Sequence, residues 1–201
     1  MKLSFNHAEG VFSKSGNCLL EVDCIREHET TKYMFENGWL PFKDDKWYQC
    51  QSSRLKLSRI TSQRRKELSK IDFSFSIDKK DLIDRSRIFG CFKEEWLEFY
   101  LSLPNYTFYM DDAAMGVVNF FDDQIFYTTF VWDKNKDANS YGTLSYYHLI
   151  EKFKNDYEYV YISEFYEDFS YKQNLQGFEF WNGSEWKREK KYTRLSKKSN
   201  V

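Results

Sequence analysis

The sequence predicts an α+β fold with a mostly antiparallel central sheet flanked by helices. Three observations predict it. Short runs alternate apolar and polar residues with the period of two that marks strands, and other stretches place apolar residues three and four apart, as helices do. Between residues 106 and 132, three strand-like runs follow one another through polar turns, with a helical stretch and a further strand behind them.

Taken in order, residues 18–22 read as a short strand and residues 27–37 as a helix. That helix stops at Asn37-Gly38, because glycine accepts the left-handed conformation that closes a helix. Residues 47–50 and 54–60 alternate as strands, the second with Leu55, Leu57 and Arg59 on one face. Thr61 or Ser62 then caps a basic helix over residues 63–70. Ile88, Phe89, Phe92, Trp96, Leu97 and Leu101 fall near helical spacing, so residues 86–101 predict one helix, ended before Pro104. Residues 106–110 and 116–121 predict strands, and Asp122-Asp123 a turn into a third at 124–132. Leu144, Tyr147, Ile150 and Phe153 predict an amphipathic helix over 143–154, and residues 159–163 a last strand. Three antiparallel strands, a helix docked on them and another strand alongside are the layer order of an N-acyltransferase core of the GNAT type. The chain then divides into an N-terminal region with a basic strand-helix segment (1–70), a GNAT-like core (71–185) and a basic tail (186–201).

Composition narrows the function classes. At roughly 150 residues per domain, 201 residues make one domain, or one domain with an appendage, and exclude a two-enzyme fusion. Thirty Lys and Arg face 31 Asp and Glu, so no global field draws the protein to nucleic acid or to a membrane surface, and a polyanion site must be local. Aromatic residues make up 20% of the chain, while 8 Gly and 2 Pro fall below their usual shares of about 7% and 5%. Disordered, collagen-like and low-complexity readings therefore fail. No apolar run approaches the roughly 18 residues that cross a bilayer, and residues 1–10 lack the apolar stretch of a signal peptide. A cytoplasmic protein with no membrane partner is expected. Cys18, Cys24, Cys50 and Cys91 form no CxxC and are expected as thiols; His7, His28 and His148 are scattered, so neither metal nor cofactor is expected.

Three constellations carry the chemistry. Residues 54–70 hold Arg54, Lys56, Arg59, Arg64, Arg65, Lys66 and Lys70 against one acid, Glu67, a focused positive patch in a neutral protein. It reads either as a solvated helix face or as a site for a phosphate-rich partner, with Gln63, Arg64, Arg65 and Lys66 at a helix start that favours phosphate. A second basic run, residues 187–198, reads as a frayed terminus or as a flexible arm adding salt-sensitive affinity for nucleic acid. The second constellation is Trp132-Asp133 at a strand end, a polar loop, and Ser140-Tyr141-Gly142-Thr143 opening a helix. Glycine there lets backbone N–H groups approach a ligand carbonyl or phosphate; an ordinary loop with a helix cap is the alternative. The third places Glu158, Glu164, Glu167 and Asp168 among tyrosines, where acids beside aromatics recognise an amine or flank an edge strand.

The order of these residues resembles the aminoacyl-tRNA–protein transferases, the arginyltransferases and their bacterial leucyl relatives. Asn37-Gly38-Trp39, Trp47-Tyr48-Gln49-Cys50, Arg54-Leu55-Lys56-Leu57 and residues 58–66 (SRITSQRRK) look like that family's N-terminal half. Met115-Gly116-Val117-Val118-Asn119 resembles the strand before its Tyr-Tyr-Asp-Pro segment, which Val131-Trp132-Asp133-Lys134 replaces here. Ser140-Tyr141-Gly142-Thr143-Leu144 resembles its Ser-Leu-Gly-Thr-Tyr helix start, Tyr159-Val160-Tyr161-Ile162 its Tyr-x-Tyr-Leu-Gly strand, and Tyr171-Lys172 its Tyr-Lys pair. The likeness runs in order over residues 18–180. The family's fuller cysteine cluster is reduced here, so no cluster is carried over.

The resemblance implies transfer of an amino acid, arginyl or leucyl, from aminoacyl-tRNA to the N-terminal α-amine of an acceptor protein beginning with Asp or Glu. The reaction is ester aminolysis, which needs amine and carbonyl held together, a proton removed and an oxyanion stabilised. In that scheme Asp133 orients or deprotonates the amine, with Tyr161 or Tyr171 as hydrogen-bonding partners. Backbone N–H groups at Gly142 and Thr143 serve the oxyanion or the terminal adenosine, and Ser140 and Tyr141 join them in binding substrate. Arg54, Gln63, Arg64, Arg65 and Lys66 bind acceptor-stem phosphates or an acidic first residue, and Glu164 and Lys172 complete the substrate site. The alternatives are an acyl-CoA-dependent N-acyltransferase, which would want a glycine-rich pyrophosphate loop where Gly142 stands alone, and a non-catalytic binding module of the same fold.

Overall fold

The computed structural model describes residues 20–23, 25–42, 45–75, 78–89, 94–136, 140–165 and 167–189. In chain order the elements are β1 (Leu20–Asp23), α1 (His28–Glu36), β2 (Trp39–Pro41), β3 (Lys46–Gln49), β4 (Ser52–Lys56), α2 (Ser62–Leu68), β5 (Phe73–Phe75), α3 (Lys79–Phe89), α4 (Glu94–Ser102), β6 (Asn105–Met110), β7 (Ala114–Phe121), β8 (Gln124–Trp132), α5 (Tyr141–Phe153), β9 (Tyr159–Glu164), a 3₁₀ run (Glu167–Asn174), β10 (Phe178–Trp181) and β11 (Trp186–Lys187). The chain is thus mixed α+β, its strands mostly antiparallel. No described helix is long and apolar enough to cross a membrane. Two units divide it: Met1–Leu55 with Ser163–Val201, and Lys56–Ile162.

In the first unit, β1, β3 and β2 form an antiparallel sheet in that order, and β10 pairs antiparallel with both β4 and β11. Helix α1 ends at Asn37, as expected, and Gly38 takes φ +77°. A Cβ on Gly38 would lie 2.3 Å from Cγ of Trp181, so this glycine answers both a left-handed backbone and a close approach. Met34, Phe35, Trp39, Leu40 and Trp47 are fully buried, with the Phe35 and Trp47 rings edge to face at 5.3 Å.

The second unit is built on the strand order β9-β8-β7-β6-β5. Neighbours are antiparallel except β8 and β9, which run parallel with Ile125 opposite Val160 and Phe126 opposite Tyr161. Helix α5 is the crossover that a parallel pair requires. Alternation along the strands sends Tyr109, Met115, Val117 and Val131 into a core with Leu82, Ile83 and Phe89 of α3 and Leu97 of α4. Tyr106, Phe120 and Tyr127 meet Phe153 and Tyr146 of α5. The sheet therefore has α3 and α4 on one face and α5 on the other.

Several expectations are corrected. The single helix over 86–101 is two helices, and the first starts at Lys79 because Asp78 Oδ1 accepts the N–H groups of Lys80 and Asp81 at 2.9 and 3.4 Å. The strand over 54–60 ends at Lys56; beyond it the Leu57 N–H donates to the Glu158 carbonyl at 2.8 Å while Arg59 is exposed. Of the two cap candidates, Thr61 takes the part, its Oγ1 accepting from the Arg64 N–H at 3.3 Å, and the helix it starts ends at Leu68. Cys18, Cys24, Cys91, His7 and most of the basic run 187–198 lie outside the described residues.

Candidate functional site

Within the second unit, β8 delivers Trp132 and Asp133 to one end of the sheet and α5 begins nearby at Tyr141. Trp132 is 41% exposed and stacks on Phe130 with centroids 6.1 Å apart. The Asp133 backbone N–H donates to the Ala113 carbonyl at 2.8 Å, and its Oδ1 accepts from the Asn135 N–H at 2.9 Å. The carboxylate therefore closes an Asx turn, which fixes its place but occupies one of its oxygens. Ser140 precedes α5 without a side-chain capping bond, and its carbonyl accepts from the Leu144 N–H at 2.9 Å. A Cβ on Gly142 would meet only Phe130, at 3.9 Å, so open space rather than strain marks this glycine. Thr143 is half-buried in the first turn.

The β6–β7 turn reaches the same helix start. Asp111 and Asp112 are both left-handed, at φ +50° and +51°, and the Ala113 N–H donates to the Met110 carbonyl at 2.9 Å. Tyr141 Oη donates to Asp111 Oδ2 at 2.7 Å, Arg85 Nη1 to Asp112 Oδ1 at 2.7 Å, and Lys136 Nζ to the Asp112 carbonyl at 3.0 Å. Sequence reasoning missed Asp111. Its only signal was an Asp-Asp pair between two strand-like runs.

Helix α2 packs on α5. Arg64 Nη1 donates to Glu67 at 2.6 Å, which holds the guanidinium pKa above its ordinary value, and Arg64 also lies 5.0 Å from the Tyr147 ring centroid. Arg65 pairs with Glu151 at 3.4 Å, and Gln63 Nε2 donates to Glu67 at 3.3 Å. Lys66 and Lys70 are exposed and make no side-chain bond to the described residues. Internal carboxylates thus absorb part of the patch, and its outward charge rests on Lys66, Lys70 and the exposed edge of Arg65. Tyr161 is buried in β9.

The first unit holds Arg54, Glu164, Tyr171 and Lys172. Arg54 Nε donates to Glu179 Oε2 at 2.7 Å, the other Glu179 oxygen accepts from Arg188 at 2.6 Å, and the Trp186 ring lies 4.2 Å from the Arg54 guanidinium. This buried ion pair ties β4 to β10 and commits Arg54 to an internal carboxylate. Glu164 Oε1 accepts from Tyr48 at 2.9 Å. Lys172 is 2% exposed, and its Nζ donates to Ser163 Oγ at 3.0 Å and to the Glu164 carbonyl at 2.7 Å, above the Phe169 ring at 4.7 Å. Burial lowers its pKa to about 8, with Glu164 and Cys50 pulling the other way. Lys172 thereby staples the 3₁₀ run to the end of β9, where Ser163 is left-handed at φ +67°. Tyr171 is 44% exposed, edge to face with Phe169 at 6.5 Å. Cys50 is a buried thiol.

The class this geometry defines is a mixed α+β chain with a mostly antiparallel sheet, one parallel pair (β8 and β9) and a polar cluster at the start of the crossover helix. No family model and no curated protein matches the chain. Among solved structures, the C-terminal domain (DUF2156) of an Agrobacterium fabrum protein named as a lysylphosphatidylglycerol synthetase aligns at a TM-score of 0.41 and 11% identity, over 57% of this chain. The aligned part spans 46% of that domain, less than half its length.

Proposed function

We propose that the chain transfers an aminoacyl group, arginyl or leucyl, from the 3′ end of a charged tRNA to the N-terminal α-amine of an acceptor protein, on a GNAT-like core. The observation that carries this reading is the β6-β7-β8-α5-β9 order with β9 parallel to β8. Trp132-Asp133 stands at the end of one strand and Ser140-Tyr141-Gly142-Thr143 at the start of the helix that follows.

The chemistry asked of these residues is modest, because an aminoacyl ester is already activated and no covalent nucleophile is needed. Exposed Trp132 offers a stacking face for the terminal adenine. The open Gly142 lets the first N–H groups of α5 approach the carbonyl oxygen as it becomes an oxyanion. Asp133 keeps one oxygen for the incoming amine while the other closes its turn. Arg65 and Lys66 on α2, with Lys70 just beyond it, meet acceptor-stem phosphates.

Substitution of Asp133 by Asn tests this directly, since an amide oxygen still accepts from Asn135 and the turn survives. Single-turnover transfer from labelled aminoacyl-tRNA to a peptide with N-terminal Asp should slow by about 10²-fold or more. An unchanged rate removes Asp133 from the reaction. Transfer from acetyl-CoA in a parallel incubation, with none from charged tRNA, assigns the core to acyl-CoA chemistry instead.

A further inference from the structure

We infer that the Asp111 carboxylate and the Tyr141 hydroxyl form a proton relay at the start of α5. The inference rests on the aminoacyl-transfer reading and adds to it the groups that move the amine proton. Its first support is the β6–β7 turn, where Asp111 and Asp112 take the left-handed conformation that tight hairpin turns favour and aspartate tolerates. The surroundings fix this turn. The Asp111 N–H donates to the Asp72 carbonyl at 2.9 Å, and Asp111 Oδ1 accepts from the Asp72 N–H at 2.7 Å. Asp112 is tied to Arg85 and Lys136 beside it.

The consequence is a carboxylate with one oxygen pinned to the backbone and the other aimed at Tyr141 Oη, 2.7 Å away. Tyr141 is the first residue of α5, next to the Gly142 and Thr143 N–H groups assigned to the oxyanion. A phenol that donates to a carboxylate becomes a better proton acceptor on its own oxygen. Asp133, by contrast, spends an oxygen on its own turn and is suited to orienting the amine.

The amine lone pair forms the C–N bond to the ester carbonyl carbon. One amine proton passes to Tyr141 Oη as the phenol proton passes to Asp111 Oδ2. When the tetrahedral intermediate collapses, the ester C–O bond breaks, and the departing 3′ oxygen takes a proton back through Tyr141, leaving Asp111 ionised. Tyr141 is the catalytic residue in this scheme and Asp111 the residue that acts through it.

The test is the rate of single-turnover transfer, with KM for charged tRNA, by wild type, Asp111→Asn, Tyr141→Phe and the double variant. Asparagine tolerates the left-handed turn and keeps an oxygen for the Asp72 N–H, while Tyr141→Phe leaves the turn untouched, so at least one variant reports on a folded protein. Each single change should lower the rate about 10²- to 10⁴-fold with little change in KM for charged tRNA. The double variant should be no slower than the slower single, as for groups that act as one unit. An active wild type with either single variant unimpaired, or with multiplicative losses in the double variant, overturns the relay alone. A wild type that transfers nothing from any charged tRNA overturns the aminoacyl-transfer reading and the relay with it.

Discussion

His148 shows how a single side chain makes stability depend on pH. It stacks on Phe73 at 4.1 Å, and its Nε2 lies 2.9 Å from Tyr106 Oη. Burial, with Lys152 nearby, lowers its pKa from 6.5 to about 4. Above pH 6.5 the ring is neutral in both the folded and unfolded chain, and its contribution is complete. As pH falls from 6.5 towards 4, only the unfolded chain takes up the proton, and about 3 kcal/mol of stability drains away. His148→Phe should flatten this slope in urea denaturation series; an unchanged slope assigns the acid sensitivity elsewhere. Lys172 acts in the opposite range. Its amine is charged in both states below about pH 8, and between about 8 and 10.5 the unfolded chain holds more protons, so this group adds stability as pH rises. Lys172→Met should remove that rise while leaving Ser163 Oγ and the Glu164 carbonyl without their ammonium, a loss visible as a lower midpoint at pH 7.

Elements follow local chemistry where the signals are local. Asn37-Gly38 and Thr61 ended one helix and started another as their residue types require, and Gly38→Ala should cost at least about 2 kcal/mol, since it meets both an unfavourable φ and the Trp181 ring. Melting curves check it; a loss under about 0.5 kcal/mol would mean the turn rearranges freely. The meander β6-β7-β8, helix α5 and β9 were legible because period-two and helical spacing are written in consecutive residues. What was not legible depends on partners distant in sequence. The break between α3 and α4 hid behind aromatic residues that suit one long amphipathic pattern as well as two short ones. Asp111 meets Tyr141 thirty residues on, and Lys172 draws its chemistry from burial beside Ser163 and Glu164. Spacing carries no trace of either contact. Helix α2 gives the matching functional prediction. Replacing Arg65 and Lys66 by Ala should weaken binding of tRNA and lower the slope of log affinity against log salt by about 2, measured by filter binding. An unchanged slope returns α2 to a solvated face.

At the scale of the whole molecule, a near-neutral chain with a local cationic face suits a partner that is polyanionic at one end and reactive at its tip. Charged tRNA has that shape of chemistry: phosphates along the stem and an activated ester at the 3′ terminus. The most direct measurement is the mass of a peptide with N-terminal Asp after incubation with the protein and each purified aminoacyl-tRNA in turn. The account predicts a gain of one arginyl or leucyl residue, in amide linkage at the α-amine, with the tRNA discharged in equal amount. A peptide that keeps its mass with every charged tRNA contradicts it.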